Sequence, residues 1–277
     1  MSELPLLSCS DPEFGEKFVM SLQQYGFGAL IDHPLDMRRV RRIYQHWGTW
    51  FGSDKDACFD VDPKTQDGYV SLDLAEHAKG YEEQDYKEYF QYYPWGRCPD
   101  ALRTDLAAHY HDAVHFGSRL LMYIQDAMPE PIAATLEQPL HAMIANSQQS
   151  MLRVLHYPPL PDNVAAPRAA PHEDINFLTL LPAADGPGLE IKTREGEWIC
   201  VSNEPNQLLV NIGDMLQEVS GGWLPSTTHQ VVLSDNHRRS GRMSLPLFLH
   251  PRPEVRLSSR YSARGYLQER LGELGVL

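Results

Sequence analysis

The sequence predicts a mainly β protein with flanking helices, in which a double-stranded β-helix (jelly-roll) core follows a helical N-terminal half. Three observations lead there. Before about residue 145 the apolar residues recur mostly at helical spacing; after Met151 the chain breaks into short β-branched or aromatic runs punctuated by Gly, Pro, Asn and Asp. No repeat, low-complexity tract or linker separates the two textures. Residues 1–145 are therefore read as a helical region packed on the core and residues 146–277 as the jelly roll, together one compact unit.

The elements follow in order. "SDPEFGEKFVMSLQQYG" offers Ser10 or Asp11 as N-cap, Pro12 in the first turn, Phe14, Phe18 and Leu22 on one face, and Gly26 as the C′ residue. "FGALIDH" reads as a short buried strand. A second helix covers 37–51, with Val40, Ile43, Trp47 and Trp50 facing inward. Residues 52–99 are polar, rich in Gly, Asp and Tyr, and poorly periodic. Helical spacing returns over 102–128 and again, for a shorter span, over 131–145. Then come "MLRVLHY", "INFLTLL", "GLEIKT", "EWICV", "QLLVNIG", "TTHQVVL", "RMSLPLFLH" and "VRLSS", each read as a strand.

Composition narrows the function classes. At 277 residues, 42% hydrophobic and 22% charged, the chain has the make-up of a soluble protein that buries a sizeable core. A formal net charge of −13 argues against a nucleic-acid partner. The one basic cluster, "MRRVRR" at 37–42, suits a solvated helix face. No segment approaches the roughly 20 apolar residues of a membrane span, and the N-terminus has no secretory pattern. Cys9, Cys58, Cys98 and Cys200 are scattered without a C-x-x-C pair, as free thiols in a reducing compartment are. These features point to a cytoplasmic protein; no oligomer is predicted.

Candidate chemistry begins with the histidines. His111 and His115 are four apart on one helix face, but Asp112 stands where a zinc protease has Glu, so the pair reads as solvated. A zinc hydrolase built on it is a rival. His33 and His156, beside prolines at strand ends, read as structural or surface residues. There is no G-x-S-x-G elbow, Walker A loop or G-x-G-x-x-G. "APHEDINFLTLLP" is different. On a strand, residues two apart share a face, so His172 and Asp174 point one way and Glu173, without an assignable role, the other. His229 opens a later strand and can meet them across a β barrel. Two imidazoles and one carboxylate make the facial triad of non-haem iron(II) oxygenases, which leaves three positions open. Arg242 and Ser244, two apart on another strand, can grip a carboxylate by a bidentate guanidinium and a hydroxyl, suiting a dicarboxylate whose other end chelates iron. Asn211 and Asp214 are read as turn residues, with Gly213 at positive φ. Asn176 shares the face of Asp174 and would reach either a ligand or the substrate.

With those residues in place, the chain resembles the iron(II)- and 2-oxoglutarate-dependent dioxygenases, in their isopenicillin N synthase-like branch. The resemblance covers most of the length. "SLQQYGFGALIDHPL" is similar to the branch's N-terminal segment, with Asp32-His33-Pro34 in place of Asn-His-Gly. "DYKEYFQ" is similar to its Asp-x-Lys-Glu-x-Phe element. "LRVLHYPPLP", "HEDINFLTLL", "PGLEIKTREGEWICV", "QLLVNIGDMLQ", "STTHQVV" and "GRMSLPLF" follow in family order. Gln230 replaces the Arg that often follows the second histidine, and Leu155 an Asn common two residues before the tyrosine. The resemblance implies His172, Asp174 and His229 as iron ligands. It implies Arg242, Ser244 and Tyr157 as contacts of 2-oxoglutarate, and O2 as the oxidant. The implied activity is oxidation, by preference hydroxylation, of a C–H bond in a small molecule, releasing succinate and CO2. Tyr69, Tyr81, Tyr89, Tyr92 and Trp95 are expected to wall the substrate pocket. The alternatives are an Fe(II) oxidase of isopenicillin N synthase type that needs no 2-oxoglutarate, and a non-catalytic β-barrel binding module.

Overall fold

Helix α1 (Phe14–Tyr25) ends on Gly26, whose φ of 69° is the left-handed conformation a C-terminal cap requires. Its start is plainer than expected, because neither Ser10 nor Asp11 caps it directly; Asp11 instead accepts the N–H of Glu13 and the ammonium of Lys17. Helix α2 (Met37–Phe51) is capped by Asp36, which accepts from the N–H groups of Arg38 and Arg39. Four arginines lie on this helix. Arg42 pairs with Asp105 at 2.8 Å, and Arg39 with Asp112, both acids on α3 (Asp100–Asp126). Such exposed pairs contribute about 0–1 kcal/mol each. Burial of Val40, Ile43, Trp47 and Phe51, at about 1.5–3 kcal/mol apiece, is what seats the helix.

This computed structural model describes residues 3–75, 85–161, 168–232 and 241–273. Among them the short helices α4 (Glu130–Ala133) and α5 (Leu140–Ile144) occupy the expected 131–145 segment. Later come α6 (Asp214–Val219) and a C-terminal α7 (Ala263–Glu273) that the periodicity does not announce. None of the helices among the described residues is long and apolar enough to cross a membrane, and all four cysteines are free.

The strands are β1 (Leu6–Ser8), β2 (Phe27–Ile31), β3 (Gly68–Val70), β4 (Glu88–Tyr92), β5 (Met151–Tyr157), β6 (Ala169–His172), β7 (Leu178–Pro182), β8 (Leu189–Lys192), β9 (Trp198–Cys200), β10 (Leu208–Ile212), β11 (His229–Val231), β12 (Arg242–Ser244) and β13 (Leu247–Leu249). Among the described residues they form two sheets. The large one runs β1-β2-β10-β7-β13-β5-β4-β3, with β12 also on β5; the small one runs β6-β11-β8-β9. Four strands of the large sheet come from the first 145 residues, which are therefore less purely helical than expected. Strand β4 is fully buried, but its pattern EYFQY shows no alternation because both faces are covered. "VRLSS" contributes only an isolated bridge, Arg256 to Ser262.

The two faces of the large sheet have different partners. Leu152, Val154, Leu180 and Leu247 join Phe18, Trp47, Leu106 and Leu120 of the helices in the main core. On the opposite face, Phe27, Ala29 and Leu209 pack with Ala169, Leu189, Ile191 and Val231 of the small sheet. The space between the sheets is the interior of the jelly roll, and period-2 alternation decides which residues enter it.

Candidate metal centre

The small sheet brings the two histidines together. β6 and β11 are antiparallel, with His172 directly opposite His229, and their rings lie 4.4 Å apart. Asp174 arrives differently from the expectation of one continuous strand. β6 ends at His172 and β7 begins at Leu178 in the other sheet, so Asp174 sits where the chain crosses over. The N–H of Asp214, the first residue of α6, holds its carbonyl at 2.7 Å. The result is the juxtaposition that alternation suggested, by another route. One donor atom from each of His172, Asp174 and His229 lies within 4.8 Å of the others, and no other such cluster exists among the described residues. Donors about 2.1 Å from a shared ion and at right angles to one another would be about 3 Å apart, so the three side chains would draw together around an ion.

The hydrogen bonds leave the right atoms available. Nδ1 of His172 faces the Ala170 carbonyl at 2.8 Å and Nδ1 of His229 the Thr227 carbonyl at 3.1 Å. A carbonyl only accepts, so each Nδ1 carries the proton and each Nε2 keeps its lone pair for a metal. Burial, with His229 beside it, pushes the His172 pKa down to about 4, which keeps the ring neutral. Burial alone would raise the Asp174 pKa; the two histidines and the Thr179 and Asn211 hydrogen bonds more than offset it, and the carboxyl stays ionised. Asp174 Oδ2 accepts from Asn211 Nδ2 at 2.7 Å and from the Thr179 hydroxyl, while Oδ1 faces His229 Nε2 at 3.9 Å.

Several roles change accordingly. Asn211 is a β10 residue bonded to a site carboxylate rather than a turn former, and Gly213 has φ −100°, not a positive value. Gly213 is needed for a different reason: a Cβ there would lie 2.2 Å from the carbonyl and side-chain oxygens of Asn176. Asn176 itself donates to Thr179 Oγ1 at 2.9 Å. Glu173 accepts from the Thr228 hydroxyl, tying the residue between two site groups to the residue before the third. Asp85 accepts the N–H of Ala170 at 3.0 Å and pairs with Lys87 at 2.7 Å, anchoring β6. Thr179 had a visible signal, a hydroxyl amid the apolar "INFLTLL"; its register opposite Asn211 had none.

The second expected group is on the inner face of the large sheet. Arg242 pairs with Tyr157 and Ser244 with Leu155 across β12 and β5, so all four side chains share that face. The Arg242 guanidinium lies 5.1 Å over the Tyr157 ring, and its Nε donates to the Gly186 carbonyl at 3.1 Å. Nη1 is buried without a partner among the described residues. A cation so placed suits an anionic ligand, since an unmet buried donor costs about 1–3 kcal/mol or more. Of the expected pocket walls among the described residues, only Tyr89 faces the interior, under the Arg153 guanidinium at 4.2 Å. Tyr69 bonds Glu88 at 2.5 Å beneath α2, Tyr92 packs on Tyr110 of α3, and Trp95 is exposed. Tyr81 lies outside the described residues. His111 and His115 are exposed on α3 with no third ligand beside them among the described residues. His33 faces the Asn206 carbonyl at 3.0 Å and His156 pairs with Glu88 at 2.8 Å.

Residues 148–251 match the profile of the 2OG-Fe(II) oxygenase superfamily. A candidate oxygenase from Shewanella oneidensis is 43% identical, with TM-score 0.91 and complete coverage of both chains. Jasmonate-induced oxygenase 4 of Arabidopsis thaliana is 27% identical over 91% of this chain and 74% of its own. JOX2, solved in complex with 2OG, Fe and JA, shares the fold at TM-score 0.78 and 20% identity, covering 99% of this chain and 85% of that one. The profile spans the stretch that carries the His–Asp–His cluster and Arg242, and the chain belongs to the iron(II)- and 2-oxoglutarate-dependent oxygenases, a superfamily of oxidoreductases whose jelly-roll core it shares.

Proposed function

We propose that His172, Asp174 and His229 bind Fe(II), that Arg242, Ser244 and Tyr157 receive 2-oxoglutarate, and that the enzyme hydroxylates a C–H bond of a small molecule. The convergence of two imidazoles and one carboxylate on one point carries the reading. When bound, the iron and its cosubstrate supply the oxidising power for O2 chemistry, with succinate and CO2 as co-products. The chain's own work is placement. Arg242 meets the distal carboxylate with a buried charge, Ser244 adds a hydroxyl on the same strand face, and Tyr157 stacks beneath the guanidinium. His172 and His229 are held in the ligating tautomer by backbone carbonyls.

The inner face also indicates the substrate's size and character. Tyr89 and Phe248 flank Arg153, whose Nη2 donates to Gln91 at 2.8 Å. His250 is half-buried, and its desolvation pushes its pKa down to about 4. Aromatic walls with a few oriented polar groups between two sheets suit a compact organic molecule. JOX2 takes such a compound, JA, in the same fold.

Anaerobic titration with Fe(II) and then 2-oxoglutarate tests the assignment. The expected result is a visible metal-to-ligand absorption band that is weakened at low cosubstrate by Arg242→Ala. Succinate formation that rises with candidate substrates completes it. Fe(II) binding that persists in an Asp174→Ala, His229→Ala double variant refutes the ligand set, and substrate oxidation without 2-oxoglutarate refutes the cosubstrate.

A further inference from the structure

We propose that Thr179, Asn211 and Asn176 form a clamp that restricts Asp174 to a single metal-binding oxygen, Oδ1, and thereby keeps a coordination position open for 2-oxoglutarate. The inference rests on the metal-centre reading above. A carboxylate offers two oxygens and binds metals through one or both. A triad that takes three positions leaves three, enough for a chelating cosubstrate and dioxygen. If both oxygens of Asp174 reached the metal, one of those positions would be lost.

The structure prevents this by occupying Oδ2. Asn211 donates its amide N–H to that atom at 2.7 Å, and the Thr179 hydroxyl donates to the same atom. A hydroxyl has one proton, so its direction matters. Asn176 Nδ2 donates to Thr179 Oγ1 at 2.9 Å and to the Leu178 carbonyl at 3.1 Å. With that lone pair of Thr179 engaged from behind, its proton is aimed at Asp174. Asn176 is in turn fixed against Gly213, where no side chain fits. All three residues are nearly inaccessible to solvent.

The clamp is set in the large sheet. Thr179 and Asn211 are register neighbours on β7 and β10, inside the large sheet and flanked by other strands. The two histidines belong to the small sheet. Asp174 thus joins the sheets, with Oδ2 held by one and Oδ1 turned to the histidines of the other. Thr179, Asn211 and Asn176 are positioning residues in this scheme, acting through the carboxylate.

The test compares wild type, Thr179→Val, Thr179→Ser and Asn211→Ala. Each is checked for folding by circular dichroism, loaded anaerobically to saturation with Fe(II), and titrated with 2-oxoglutarate by its absorption band. With metal saturated, Thr179→Val and Asn211→Ala should bind 2-oxoglutarate about 10- to 100-fold more weakly, the range usual for groups that orient metal ligands. Thr179→Ser, which keeps the hydroxyl, should behave as wild type. A crystal structure of the Mn(II)-loaded Thr179→Val or Asn211→Ala protein should show both Asp174 oxygens within metal reach. Unchanged cosubstrate affinity in both variants, or Oδ2 in its original place with metal bound, overturns the clamp. A loss confined to metal affinity overturns it too, because a merely structural role gives that result. Failure of the wild type to take up Fe(II) overturns the metal-centre reading and the clamp together, whereas normal wild-type behaviour with unaltered variants overturns the clamp alone.

Discussion

Replacing His109 with leucine tests the cost of a buried imidazole with no partner. His109 lies on α3, is 1% exposed, and neither ring nitrogen has a hydrogen bond among the described residues. Burial, then nearby Arg39, pushes its pKa down to about 4, with Asp112 and Asp36 opposing weakly. In the unfolded chain the value returns to about 6.5. The folded value is therefore depressed, and as pH falls the unfolded state takes the proton first. The stability contribution is intact above about pH 6.5 and is lost progressively as pH falls towards 4. At about 1.4 kcal/mol per pH unit, the full loss is about 3 kcal/mol. His172 and His250 have similarly depressed values and lose stability over the same window, so the difference between variant and wild type isolates His109. Urea denaturation of the metal-free protein, followed by tryptophan fluorescence from pH 4 to 7.5, measures it. His109→Leu should match or exceed wild type at pH 7, since leucine leaves no nitrogen unmet. The gap should widen by about 3 kcal/mol towards pH 4. Parallel curves over the whole range would refute the argument.

Other outcomes follow from the same geometry. Arg242→Ala removes a buried charge whose hydrogen bonds to a carboxylate are worth about 1.5–3 kcal/mol each, so 2-oxoglutarate affinity should fall at least about tenfold in the anaerobic titration, with Fe(II) uptake retained. Gly213→Ala forces a methyl group onto Asn176; overpacking of this kind costs about 1–3 kcal/mol and should appear as a lower thermal midpoint. His229→Ala deletes one of two nitrogen donors, and a competition assay with a chelating dye should show weakened Fe(II) binding, while circular dichroism stays near wild type.

Sequence and structure divide the explanation along a physical line. Patterns that depend on near neighbours were readable. Helices α1 and α2 followed from spacing and caps, β5 and β10 from short apolar runs, and His172 with Asp174 from residue types two apart. The basic run on α2 was also readable as a solvated face, and Arg39 and Arg42 indeed meet acids of α3 at the surface. Where two covering layers erase periodicity, as on β4, the chain carries no local signal, and the tyrosines of that region could not be sorted into Tyr89 inside and Tyr69 and Tyr92 beneath the helices.

By itself the sequence determined the chemical inventory of the site: two histidines, a carboxylate, and an arginine and serine on one strand face. Only the tertiary structure decided how Asp174 reaches the histidines, by a crossover between sheets rather than along one strand, and that Asn211 and Thr179 hold its second oxygen. Register between strands more than thirty residues apart set those contacts, and register arises from the packing of whole sheets, which no local window of sequence contains.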